Sequence, residues 1–93
     1  MDKKDYTIVY TTNFVGEFRK LSEKYQQLIL LKISILEKNP FYKSLRTKKI
    51  HGNYESSVNM DIRIIWQFNG SQIIILLDVG HHDIIRKYNK HKF

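Results

Sequence analysis

The 93-residue chain sets 16 Lys and Arg against nine Asp and Glu, a formal net charge of +7, so its expected partner is a polyanion or an acidic protein. With 42% hydrophobic and 13% aromatic residues, four Gly and one Pro, residues 1–93 suit one folded domain, too apolar for disorder and too short for a second globular unit. The lack of Cys excludes disulfides, thiol catalysis and thiolate zinc sites; Met1-Asp2-Lys3-Lys4-Asp5 has no signal-peptide core and no apolar run reaches the ~18 residues of a membrane span, so a cytoplasmic protein with no membrane partner is expected.

Residues 5–11, with Tyr6-Thr7-Ile8-Val9-Tyr10, are β-branched and aromatic and predict a first strand. From Asn13 the period becomes helical: Phe14, Phe18 and Leu21 recur on one stripe, Thr12 or Asn13 can cap it, and Glu17 sits in the favourable first turn. After a break near Ser22 the same period continues through Tyr25, Leu28, Ile29, Ile33 and Leu36, and Asn39-Pro40 stops it. The two segments predict an antiparallel helical hairpin. The second carries more apolar surface, Leu30 and Leu31 included, than one core stripe requires, which leaves some for a protein partner.

Residues 43–52 hold Lys43, Arg46, Lys48 and Lys49 without an acid and read as a basic loop, with a short extended piece at 48–51. Residues 54–60 alternate loosely, 62–68 are strongly strand-like, Asn69-Gly70 is a preferred two-residue hairpin turn, and 71–79 form a further strand. A second basic stretch, Arg86, Lys87, Lys90 and Lys92, closes the chain. The order β-α-α-β-β-β predicts an α+β domain, an antiparallel sheet of about four strands with the helical hairpin on one face.

With Asn69 and Gly70 as the whole turn, Phe68 stands opposite Ser71. Ile62, Ile64, Trp66 and Phe68 then share the core face with Ile73, Ile75, Leu77 and Val79. The other face carries Arg63 diagonal to Asp78, within reach of an ion pair. Extending the last strand past Gly80 puts His82 on that face and turns His81 away. Asp61 falls in the turn before Arg63.

In Asp61-Ile62-Arg63-Ile64-Ile65-Trp66-Gln67, in Lys49-Ile50-His51-Gly52 and in Val79-Gly80-His81-His82-Asp83, the sequence resembles the RelE/ParE toxin superfamily, and within it the RelE and YafQ type messenger-RNA endonucleases. The resemblance spans nearly the whole chain. It matches the family's arginine to Arg63, the basic residue two positions after the glycine to His82, and a late aromatic to Tyr88. The RelE branch has lysines on the strand before the arginine, where this chain has Glu55, Ser56 and Ser57; the histidine that the YafQ branch has near Ser57 is also missing. Lys48, Lys49 and His51 are the candidates to compensate from the preceding loop.

The resemblance implies the toxin of a type II toxin–antitoxin pair, a ribosome-dependent endoribonuclease with the ribosome and messenger RNA as partners and a cognate antitoxin that wraps it. Metal-free cleavage uses the ribose 2′-OH as nucleophile and needs a base, an acid and a cation at the phosphate. His82 suits the acid, since an unperturbed imidazole titrates near pH 6.5, at about the pH where it can donate. Arg63 suits the phosphate. Asp61 and His81 are the candidates for the base, Tyr88 can stack on an unpaired nucleotide, and Lys48, Lys49, Arg86 and Lys87 can grip RNA phosphates. No cofactor is needed, and no metal is expected, because adjacent strand residues such as His81 and His82 point apart. The alternative is a ParE-like toxin of the same fold that binds and inhibits DNA gyrase without cleaving RNA.

Overall fold

The computed structural model describes residues 5–89; residues 1–4 and 90–93, with Lys90 and Lys92 of the basic tail, lie outside the described residues. The first strand, β1 (Thr7–Tyr10), leads into helix α1 (Thr12–Arg19). The cap is Thr11, one residue ahead of the two expected: its backbone is extended and its hydroxyl accepts from the Phe14 amide at 3.0 Å. The break at Ser22 is the N-cap of α2 (Glu23–Lys38), the hydroxyl accepting from the Tyr25 amide, and α2 ends at Asn39 before Pro40. Phe14 from α1 and Ile29, Ile33 and Leu36 from α2 are buried together against the sheet. Each contributes about 1.5–3 kcal/mol by leaving water.

The sheet continues through β2 (Lys48–Ile50), β3 (Asn53–Ser57), β4 (Ile62–Asn69) and β5 (Ile73–His81) in the order β1-β5-β4-β3-β2. A 3-10 turn (His82–Ile84) and a short helix α3 (Ile85–Tyr88) follow. The α+β class and element order are those the sequence predicts. The sheet gains a fifth strand because residues 48–50 pair with β3, and it is mixed because β1 runs parallel to β5 while every other pair is antiparallel. The two helices carry the chain from one edge of the sheet to the other. In the β2–β3 hairpin His51 and Gly52 both have positive φ (44° and 83°), as a tight type I′ turn demands. No helix among the described residues is long and apolar enough to cross a membrane.

The β4–β5 register differs from the one the Asn69-Gly70 turn predicts. Asn69 pairs with Ile73, so three residues, Gly70 to Gln72, form the loop, with Gly70 at φ 73°. The shift moves Ile73 and Ile75 off the core face and puts Ile74 and Leu76 there, both fully buried. A bulge then corrects the parity: Trp66 pairs with Leu76 but Ile65 pairs with Asp78, leaving Leu77 without a partner in β4. Val79 returns to the core, and Asp78 faces the same way as Arg63. The freed Leu77 carbonyl accepts from the Asn13 amide group at 2.8 Å and the Thr11 hydroxyl at 3.3 Å, so the start of α1 secures the bulge.

Candidate functional site

On the sheet face turned away from α1 and α2, two rungs of paired residues lie side by side: Lys48, Glu55, Ile65 and Asp78 on one, Ser57, Arg63 and Gly80 on the next. Here a pocket of about 250 Å³ is lined by Arg46, Lys48, Glu55, Arg63, His82 and Ile85, among others. Three fixed cations, one imidazole and one carboxylate therefore meet in one small space.

Arg63 is held from behind. Its Nη1 donates to the carbonyls of Asn59 (2.7 Å), Met60 (3.2 Å) and Ile62 (3.2 Å). Those carbonyls are presented by a turn that Asn59 builds, its side-chain oxygen accepting from the amides of Asp61 and Ile62, both at 2.8 Å. Nε lies 3.6 Å from the Glu55 carboxylate. Among the described residues nothing accepts from Nη2, so one edge of the guanidinium is left for a ligand. Glu55 is only 7% exposed, and Arg63 is its one partner among the described residues. Burying a carboxylate with a single partner is costly, and the Arg63 charge beside it offsets part of that cost.

His82 reaches the pocket by a different route from a strand extension. β5 ends at His81, and His82 opens the 3-10 turn that folds back over the sheet. Gly80 permits this: a Cβ there would lie 2.9 Å from Ile84 Cγ2. His81 faces the other way, paired with Ile62 and 6.0 Å edge-on from the Tyr25 ring of α2. Asp61 lies on that side too, accepting from the Tyr25 hydroxyl at 3.4 Å. Neither lines the pocket with Arg63. No group of three or more His, Asp or Glu among the described residues is placed to hold a metal ion.

Asp78 does not pair with Arg63. It is 1% exposed; Oδ1 accepts from its neighbour's amide, Val79, at 2.9 Å, and Oδ2 accepts from the Tyr88 hydroxyl at 2.9 Å and lies 3.4 Å from Lys87 Nζ. Burial, then the hydrogen bond and charge of Asp78, with Glu17 adding to them, push the Tyr88 phenol up to about 12. It thus remains a donor across the neutral range. Tyr88 and Lys87 spend their polar groups on the sheet, whereas Arg86 is exposed on α3. Lys48 lines the pocket; Lys49 points from the opposite face of β2, and His51 sits at the hairpin tip.

Two charged residues of the pocket, Arg46 and Glu55, are not among the sequence candidates. Arg46, counted only within the basic stretch, is turned into the pocket by a left-handed backbone (φ 49°). Glu55 stood in the chain as a missing lysine. Its signal was the period of two that sets it on the face of Ser57 and hence of Arg63.

No protein-family model and no curated protein sequence matches the chain. Solved structures do match it in shape. The RelE–RelB complex from Pyrococcus horikoshii aligns with a TM-score of 0.73 and 20% identity, over 83% of this chain and 94% of that one. A YoeB/ParE toxin from Agrobacterium tumefaciens aligns with a TM-score of 0.70 and 14% identity, over 82% and 98%, and YafQ from E. coli with 0.62 and 12%, over 86% and 97%. The chain has the fold of the RelE-like toxins.

Proposed function

We propose that the protein is the toxin of a type II toxin–antitoxin pair and cleaves messenger RNA on the ribosome without a metal. The observation that carries this reading is the meeting of Glu55, Arg63 and His82 in one cationic pocket. Glu55 takes the proton from the ribose 2′-OH, and the resulting oxyanion attacks the adjacent phosphorus. Arg63, with Arg46 and Lys48, holds the charge that grows on the non-bridging oxygens. The bond from phosphorus to the 5′ oxygen breaks as His82 protonates the leaving oxygen. The products are a 2′,3′-cyclic phosphate and a free 5′-OH, with Glu55 protonated and His82 neutral until water resets them. Glu55 thus takes the role for which Asp61 and His81 were the sequence candidates.

Arg86, exposed on α3, extends the cationic surface for ribosomal or messenger RNA phosphates, whereas Lys49, on the opposite face of β2, lies outside it. The opposite, helical side suits the antitoxin. Leu30 and Leu31 are half-exposed on α2, and Tyr10, Val15, Phe18 and Leu30 line an apolar groove of about 300 Å³. An acidic, amphipathic partner would cover this groove and, by wrapping on, neutralise the basic pocket.

The test compares wild type, Arg63→Ala and His82→Ala on ribosomes programmed with message, alongside a gyrase supercoiling assay. Losses of about 10²-fold or more are expected for each variant, with supercoiling untouched. Inhibition of gyrase by all three proteins, without RNA cleavage, would establish the ParE-like alternative. Gly80→Ala is expected to cut cleavage by about 10–100-fold by pushing Ile84, and His82 with it, away from the sheet. Partial recovery in Gly80→Ala/Ile84→Ala would identify that contact as the cause; thermal melting would distinguish displacement from unfolding.

A further inference from the structure

We propose that the buried Asp78, through its hydrogen bond to Tyr88, anchors α3 over the sheet and thereby sets His82 and Ile85 at the pocket, making Asp78 and Tyr88 positioning residues. The inference rests on the nuclease reading for its functional consequence but not for its structural one.

α3 has four residues, far below the length at which a helix persists on its own in water. Neither it nor the preceding turn has a side-chain cap. From His82 to Asn89, the side-chain bonds to the sheet among the described residues are those of Tyr88 and Lys87, and both end on Asp78. Lys87 is 62% exposed at 3.4 Å, so solvent weakens its share. The phenol–carboxylate bond, at 2.9 Å to a carboxylate 1% exposed, is the stronger tie.

The anchored segment bears directly on the pocket. His82 and Ile85 line it, Tyr88 lies one helical turn beyond Ile85, and the Gly80–Ile84 contact leaves the connecting turn little slack. Asp78 sits on the rung beside Arg63. Engaging its charge with Tyr88 and Lys87 leaves Arg63 to Glu55 and to an incoming phosphate. A ring at position 88 that merely filled space would need no hydroxyl.

Tyr88→Phe removes that hydroxyl and little else. In the RNA-free protein, NMR should show a changed His82 ring resonance, an unchanged His81 ring, and faster hydrogen exchange at the Ile85 and Asn89 amides that close the turn and α3, with global unfolding still a single cooperative transition. On programmed ribosomes, kcat should fall about tenfold with KM within about twofold, as for a group needed only in the transition state. Asp78→Leu, with no polar group, should reproduce these changes; Asp78→Asn, whose amide can still hydrogen-bond the phenol through its oxygen or its NH2, should restore a measurable part of both. An unmoved His82 resonance and unchanged exchange in Tyr88→Phe overturn the proposal. Because these readouts need no RNA, wild-type protein that cleaves nothing would overturn the nuclease reading alone.

Discussion

Glu55→Gln is expected to slow RNA cleavage by about 10²–10⁴-fold with the fold intact, the range for loss of a positioned general base. Glutamine matches the carboxylate in size and keeps a polar oxygen near Arg63 Nε, which lies 3.6 Å from the Glu55 carboxylate, but it cannot take the 2′-OH proton. Neutralising only the acid leaves the Arg63 charge without its ion-pair partner, so a stability cost is expected, held down because the guanidinium also donates to three backbone carbonyls. Removing the negative charge beside Arg63 also leaves that cation unopposed, so substrate binding should hold or tighten. Single-turnover cleavage on programmed ribosomes separates these effects: kcat falls while KM stays level or drops. A variant that keeps wild-type kcat, or loses efficiency only through a raised KM, would assign Glu55 to holding Arg63 and return the base to another group.

Much of this site was legible in the sequence, for definable reasons. The aliphatic run at residues 62–68 fixes β4 as a strand, and alternation along it sets Arg63 against the core. Alternation from a two-residue turn still puts Asp78 on the arginine's face, because the three-residue loop and the bulge at Leu77 each shift parity by one and cancel beyond it. Between loop and bulge they do not cancel, so Ile74 and Leu76 face the core where the two-residue turn sets Ile73 and Ile75. A bulge depends on tertiary contacts, here Asn13 and Thr11 on the Leu77 carbonyl, which no local pattern carries. His82 shows a related limit: it reaches the pocket through a turn made possible by the closeness of Gly80 to Ile84. Glu55 and Arg46 were hidden for a chemical reason. An acid where lysines are usual reads as a loss until its distance to the arginine is known.

The same strand that presents Arg63 outward buries Trp66 inward, and Trp66→Ala is expected to cost about 3–5 kcal/mol. The ring is fully buried, stacks on Tyr54 at 4.7 Å and meets Phe68 edge-on at 5.0 Å. For a domain of this size each kcal/mol corresponds to about 4–8 °C in Tm, and total stability is only about 5–15 kcal/mol, so chemical denaturation should find this variant close to unfolding. The indole also has a polar task. Nε1 donates to Ser56 Oγ at 2.9 Å, Ser56 Oγ lies 2.7 Å from Thr47 Oγ1, and Thr47 donates to the Pro40 carbonyl at 2.7 Å. Since the Thr47 hydroxyl proton is committed to Pro40, Ser56 must donate to Thr47 and accept from the tryptophan. The chain of bonds ends on Pro40 by way of Thr47, the residue that follows Arg46, whose backbone is left-handed (φ 49°) and whose side chain lines the pocket. Trp66→Phe keeps most of the apolar surface and breaks only the first link, so it should cost about 1–3 kcal/mol. With the residues 40–47 segment loosened, its effect on cleavage should fall on KM, where a phosphate-gripping cation is felt. Equal KM values for Trp66→Phe and wild type, at temperatures where both are folded, would confine Trp66 to the core.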